Sequence, residues 1–224
     1  MFGFRITDEF NKGLFVPSAQ CYVFYKSYPI IKGTTANKLK TGIPGAIPCV
    51  VFSKETKLNQ DSSFGGLNIG YAIALVENGE WVINSSGFTG VYYFFMPSSD
   101  AERIAGDKPS WGARFYDENG RASFVGWQKP LTVDGFVQSK INEAFNGTRL
   151  SKSNLAIPCG GIGQARIYMG GTSGVSGFTV FNLTLSMYQD RISYKFLPVG
   201  EAPGGSGTII NTGSVPLIDT SIYS

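Results

Sequence analysis

Cys21, Cys49 and Cys159 are the only thiols in the chain, and none of the 224 residues is a histidine. A serine or cysteine nucleophile needs a base to take its proton, and imidazole is the usual one. Without it, Ser-His-Asp and Cys-His catalysis and every His-ligated metal site are excluded. The cysteines are odd in number, widely spaced and without a CxxC pair, which argues against a disulfide framework or a thiolate metal centre. They read as small buried hydrophobes in a reducing cytoplasm. No cofactor is implied. Two carboxylates could still run a glycosidase, but Asp61, Asp100, Asp107, Asp134 and Asp190 have no motif around them. Trp81, Tyr92, Tyr93 and Trp127 could stack on sugar rings, with residues 84–90 and 170–177 as a binding rim. The alternative places these rings in a core, and the alternating pattern favours that for most of them.

One charged pair recurs. Gly3, Arg5 and Asp8 reappear as Gly112, Arg114 and Asp117, at a constant offset of 109. Six positions of the segments 2–16 and 111–125 are identical. Either the pair is a salt bridge or turn cap inside a shared scaffold, or it binds a ligand. One copy at the same place in each segment is what scaffolding looks like. Further matches follow in order. Ala46-Ile47-Pro48-Cys49 returns as Ala156-Ile157-Pro158-Cys159, and Tyr71, Ile73 and Leu75 correspond to Phe181, Leu183 and Leu185. Tyr93-Phe94-Phe95-Met96-Pro97 resembles Tyr194-Lys195-Phe196-Leu197-Pro198, after a gap of nine residues that fits an extra loop at 84–90. Repeats at such a period define architecture. The sequence thus divides into two related units, 1–100 and 111–200, with a connector at 101–110 and a last segment at 201–224.

The elements that must carry these residues are strands. Cys21, Val23 and Tyr25 alternate with their neighbours, as do Ala165, Ile167 and Met169, and Phe181, Leu183, Leu185 and Met187. That period of two, punctuated by Gly, Pro, Asn and Ser clusters, predicts an all-β fold of two tandem β-sandwich-like domains. Asn119-Gly120 predicts the turn of a hairpin between 114–116 and 122–124. The Ala-Ile-Pro-Cys copies read as edge strands. Helical signal is confined to Ala101-Glu102-Arg103 and to 138–146. The last segment opens with a Gly/Ser stretch. It then carries Ile209, Ile210, Val215, Leu217, Ile218, Ile222 and Tyr223. It reads as an extended arm adding a strand to a neighbouring subunit, or as a last strand folding back on its own domain.

Charged residues are 16% of the chain and the net charge of +3 is scattered, so a nucleic-acid partner is not expected. Met1 leads straight into Phe2-Gly3-Phe4-Arg5, so no targeting segment is expected, and no apolar run is long enough to span a membrane.

The stretch from Trp111 to Phe124 resembles the aromatic-Gly-x-Arg-Φ-x-Asp-x-x-Gly-x-x-x-Phe signature of minor tail proteins from long-tailed bacteriophages. The Phe2–Phe15 copy is similar, although Lys12-Gly13 falls later than Asn119-Gly120. The resemblance implies a β-rich virion protein at the tail tip or baseplate, assembled in the bacterial host cytoplasm. Its implied partners are other phage tail proteins and further copies of itself in a symmetric assembly. It brings no catalytic residue. Low charge, many aromatics and an apolar last segment suit a surface covered in an assembly. Host attachment through a surface glycan is the competing reading.

Overall fold

The computed structural model describes residues 21–31, 38–57, 71–86, 88–105, 114–117, 119–138, 148–159, 161–169, 177–203, 209–212 and 214–223. The first half supplies β1 (Tyr22–Ile30), β2 (Lys38–Pro44), β3 (Val50–Glu55), β4 (Tyr71–Glu77), β5 (Glu80–Ser86), β6 (Gly90–Pro97) and helix α1 (Ser98–Ala105). Then come β7 (Arg114–Tyr116), β8 (Ala122–Val125), β9 (Gly135–Gln138), β10 (Thr148–Arg149), β11 (Leu155–Pro158) and β12 (Gly161–Met169). The last are β13 (Gly177–Tyr188), β14 (Arg191–Pro203), β15 (Ile209–Thr212), β16 (Ser214–Asp219) and a 3-10 helix at Thr220–Tyr223. The fold is all-β, as the alternation predicts.

The chain splits into two compact units that interleave in sequence. Unit 1 takes Met1–Tyr25, Ile47–Val50 and Phe95–Leu131, and unit 2 takes Lys26–Ala46, Val51–Phe94 and Thr132–Ser224. This division does not follow the expected halves 1–100 and 111–200. The reason is visible in the ladders of unit 2. Strand β3, from the first expected half, pairs with β11 from the second, Ile157 opposite Ser53. A single sheet therefore joins residues that the repeat placed in separate domains.

In unit 1, β7 and β8 form the antiparallel hairpin that Asn119-Gly120 predicts, with Arg114 opposite Val125. Gly120 takes φ +74°, the left-handed turn conformation that glycine adopts without penalty. Helix α1 begins at Ser98, whose amide donates to the Cys21 carbonyl at 2.8 Å. Asp100 lies in its first turn and Arg103 in its last, matching the helix dipole, and the two pair at 2.9 Å. Residues 101–105 of the expected connector are thus the second part of a helix that starts three residues earlier, and 106–110 lie outside the described residues. Val23, Phe95, Met96, Ala101 and Val125 of this unit are buried.

In unit 2, β2, β5 and β4 form one sheet. The β4–β5 turn is Asn78-Gly79, both with positive φ, a pairing whose twist suits a two-residue hairpin. Residues 84–86, expected in the extra loop that the repeat required, are strand: Asn84, Ser85 and Ser86 are ladder partners of Ile73, Ala72 and Tyr71. Pairing with β4 overrides the weak strand preference of Asn and Ser. Strands β12, β13 and β14 form a meander, and β15 returns to pair with β12. Pro158 ends a central strand rather than an edge, since β11 lies between β3 and β16. The first Ala-Ile-Pro-Cys copy differs again, being turn and bend leading into β3. Of the helix expected at 138–146, Gln138 is the last residue of β9 and the rest lies outside the described residues.

The last segment is built into unit 2. Strand β16 sits between β11 and β9, with Ala156 opposite Ile218 and Val137 opposite Val215. Val215, Leu217, Ile218 and Tyr223 are buried, and Ile222 is exposed. Val215 and Leu217 complete a core with Leu155, Ile157 and Ile192. The alternative of a strand folded back on its own domain is the arrangement seen, because burying these apolar side chains is worth about 2 kcal/mol each.

Candidate functional site

The residues of the 111–124 motif that the structure describes sit on the β7–β8 hairpin and hold it in shape. Asp117 is 6% exposed and its carboxylate accepts from three donors: the Asn119 amide at 2.9 Å, the Arg121 amide at 2.8 Å and Arg121 Nε at 2.8 Å. Its amide donates to the Arg121 carbonyl, and its carbonyl accepts from Gly120 N. Asp is suited to this because its short side chain bonds the backbone two residues on. These bonds, led by that from the Arg121 backbone, hold its carboxyl below the ordinary value of 3.8.

Arg114 does not pair with Asp117. Its guanidinium reaches Glu102 of α1 at 2.9 Å and lies 4.7 Å from the Trp127 ring centroid. The planar cation thus bonds a carboxylate at its edge and rests on an aromatic face, two interactions that lysine could not make together. Beside them Ser98 Oγ bonds Gln128 Oε1, and Gln128 Nε2 donates to the Ser98 carbonyl at 3.2 Å. The hairpin, the helix and the 127–128 turn are therefore locked by polar contacts. Gly3, Arg5, Asp8 and Gly112 lie outside the described residues.

The aromatic candidates are distributed, not gathered into a platform. Tyr92 is fully buried, 5.1 Å from the Phe88 ring. Burial, then Cys159 and Glu55, push its hydroxyl pKa up. Trp81 is half-buried and packs edge-on against Phe94 at 6.3 Å. Tyr93 is half-buried and bonds Thr220 through its side chain. Trp127 is half-buried under Arg114.

Of the acid candidates, Asp100 and Asp134 are held in ion pairs. The cysteines are free thiols, half-buried instead of fully so, and burial pushes Cys49 and Cys159 up to about 12. Such thiols are protonated and inert at neutral pH. Asp134 pairs with Lys152 at 2.6 Å. Asp100 pairs with Arg103, and the Asp190 carbonyl accepts from Leu150 N. Asp61 and Asp107 lie outside the described residues. Among the described residues, no three His, Cys, Asp or Glu side chains cluster as metal ligands, and no helix is long and apolar enough to cross a membrane.

Sequence reasoning missed a second polar cluster in unit 2. Lys152 pairs with Asp134 and approaches Asp219 at 3.7 Å. Asp219 accepts from the Ser221 amide and hydroxyl at 3.0 and 2.6 Å. Lys54 lies close enough for Asp219 to act on it. These residues are 167 positions apart at the extremes and carry no local pattern, so only the ladder register brings them together. Comparison with known proteins found no matching family model, no similar curated protein and no similar solved structure.

Proposed function

We propose that the chain is a structural protein of a bacteriophage tail, a tail-tip or baseplate component that works by protein–protein assembly. The observation that carries this reading is the chemistry of the signature hairpin. Asp117 is consumed in turn bonds and Arg114 in a clamp on Glu102 and Trp127. Among the described residues of the motif, Arg114, Asp117 and Arg121 are spent on shape, which supports a scaffold role.

In this reading the partners are other tail proteins and further copies of the chain, and the location is the virion, reached by assembly in the host cytoplasm. A glycan-binding role is the weaker alternative, because Tyr92 is fully buried and Trp81 and Tyr93 are half-covered. Antibodies against the purified chain should decorate the distal tail of particles whose genome encodes it. Purified virions that lack the chain would overturn the assignment, and specific retention on a glycan array would favour the alternative.

A further inference from the structure

Asparagine followed by glycine is chemically labile in water. The glycine amide nitrogen can attack the carbonyl carbon of the asparagine side chain, and a residue without Cβ leaves that approach open. The chain holds three such pairs, Asn78-Gly79, Asn119-Gly120 and Asn146-Gly147, and the third lies outside the described residues. The first two are exposed turn residues, and each follows a glutamate, Glu77 or Glu118. Their immediate sequence therefore gives them nearly the same reactivity. Space does not distinguish them either, since a Cβ on Gly79 or Gly120 would meet nothing within 4 Å.

Hydrogen bonding does distinguish them. Gly120 N donates to the Asp117 carbonyl at 3.0 Å, and Asn119 N donates to Asp117 Oδ1 at 2.9 Å. The backbone is thus held on both sides of the Asn119 side chain. Asp117 is itself fixed by the Arg121 amide and by Arg121 Nε, both at 2.8 Å. To attack, Gly120 N must give up its bond and turn toward the side chain against that network. At Asn78-Gly79 the corresponding nitrogen is free. These two residues are the whole turn between the ladder partners Glu77 and Glu80, with φ +50° and +78°. Among the described residues, neither the Gly79 amide nor the Asn78 carboxamide has a hydrogen-bond partner. The docked atom is the Gly79 carbonyl oxygen, which accepts from Gly45 N at 2.7 Å. It belongs to the next peptide and leaves the amide available.

We propose that Asn78 is a site of spontaneous deamidation and isoaspartate formation in the folded chain, and that the Asp117 network protects Asn119 from the same reaction. The only co-reactant is water. Gly79 N loses its proton and bonds to Asn78 Cγ, and the Cγ–Nδ2 bond breaks to release ammonia. Water then opens the cyclic imide at either carbonyl, which yields aspartate or isoaspartate. Either product places a carboxylate between Glu77 and Glu80, which already face each other across the ladder. Isoaspartate also adds a methylene to the backbone of a two-residue turn, so the end of the β4–β5 hairpin loses its register.

The full-length chain would be incubated at mildly alkaline pH, where the glycine amide loses its proton more readily, both folded and in urea. Proteolysis and mass spectrometry read the replacement of NH2 by OH at each asparagine over time. An isoaspartate O-methyltransferase labels the isoaspartyl product. The two hydrogen bonds that hold Asn119-Gly120 correspond to conversion about 5–30-fold slower than at Asn78 in the folded chain. In urea both turns are lost and the two rates are expected to converge. Asp117→Ala is expected to raise conversion at Asn119 and to leave Asn78 as it was. Conversion at Asn119 as fast as at Asn78 in the folded chain overturns the proposal, and so does an Asn78 that stays intact while folded. A difference that persists in urea belongs to the sequence rather than the fold and overturns it too. An Asn119 rate unmoved by Asp117→Ala counts against the protection.

Discussion

Asp117 serves three donors with one carboxylate, and its neighbours determine what each bond is worth. The Asn119 and Arg121 amides have no strand partner at the turn, so losing the carboxylate leaves both without it. Asp117→Ala is expected to lower the midpoint of thermal unfolding by several degrees, and Asp117→Asn by less, since an amide oxygen can still accept. The pH dependence has a definite sign. The folded carboxyl titrates below the ordinary 3.8, so its contribution is complete above that value. It is lost as the pH falls through the lower value that the folded hairpin imposes. Acid titration of unfolding should therefore show a step in the unaltered chain that is missing in Asp117→Ala. An identical acid profile in both would refute the assignment. Arg114 illustrates how far a sequence alone reaches. The recurrence of Arg with Asp marks both as scaffold. It does not reveal that Arg114 turns away to Glu102 and Trp127, because those partners lie 12 and 13 residues off on other elements.

At the scale of elements, alternation was a dependable guide where strands carry it unbroken. β1, β12 and β13 stand where the period of two predicts them, and Asn119-Gly120 marks its hairpin. β5 was hidden because Asn84-Ser85-Ser86 has no apolar alternation, and its strand form comes from β4 alongside it. The same matching misplaced the Ala-Ile-Pro-Cys copies, which are a turn in one case and a central strand in the other. Glycine gives a sharper test of how elements meet. At Gly90 of β6 an added Cβ would stand 2.2 Å from the Lys54 carbonyl oxygen of β3. That backbone atom cannot rotate aside, so Gly90→Ala should cost about 1–3 kcal/mol in urea unfolding. Gly135 of β9 has nothing within 4 Å of its added Cβ and no left-handed φ. Gly135→Ala should be neutral within about 0.5 kcal/mol. Equal losses at the two positions would contradict the close approach of β6 to β3.

For the whole molecule, the core of unit 2 depends on a strand that arrives late in the chain. Leu155, Ile157 and Ile192 are covered by Val215 and Leu217. Leu217→Ala should cost about 2–5 kcal/mol. Amide exchange should then accelerate in β9 and β11 together while the β7–β8 hairpin keeps its protection. Loss of protection confined to β16 would mean that the slot keeps its own structure without it. Gln138 and Ser214 are ladder partners separated by 76 residues of synthesis. At about 5–20 residues per second, the interval between the two emerging from the ribosome is on the order of ten seconds. Throughout that interval β9 has formed no ladder with β16, and the face of Leu155 and Ile157 awaits its cover. A nascent edge of that kind attracts any extended strand nearby. On a polysome the nearest ones belong to neighbouring nascent chains with the same sequence, so slower translation between residues 138 and 214 should lengthen the exposure and raise the aggregated fraction.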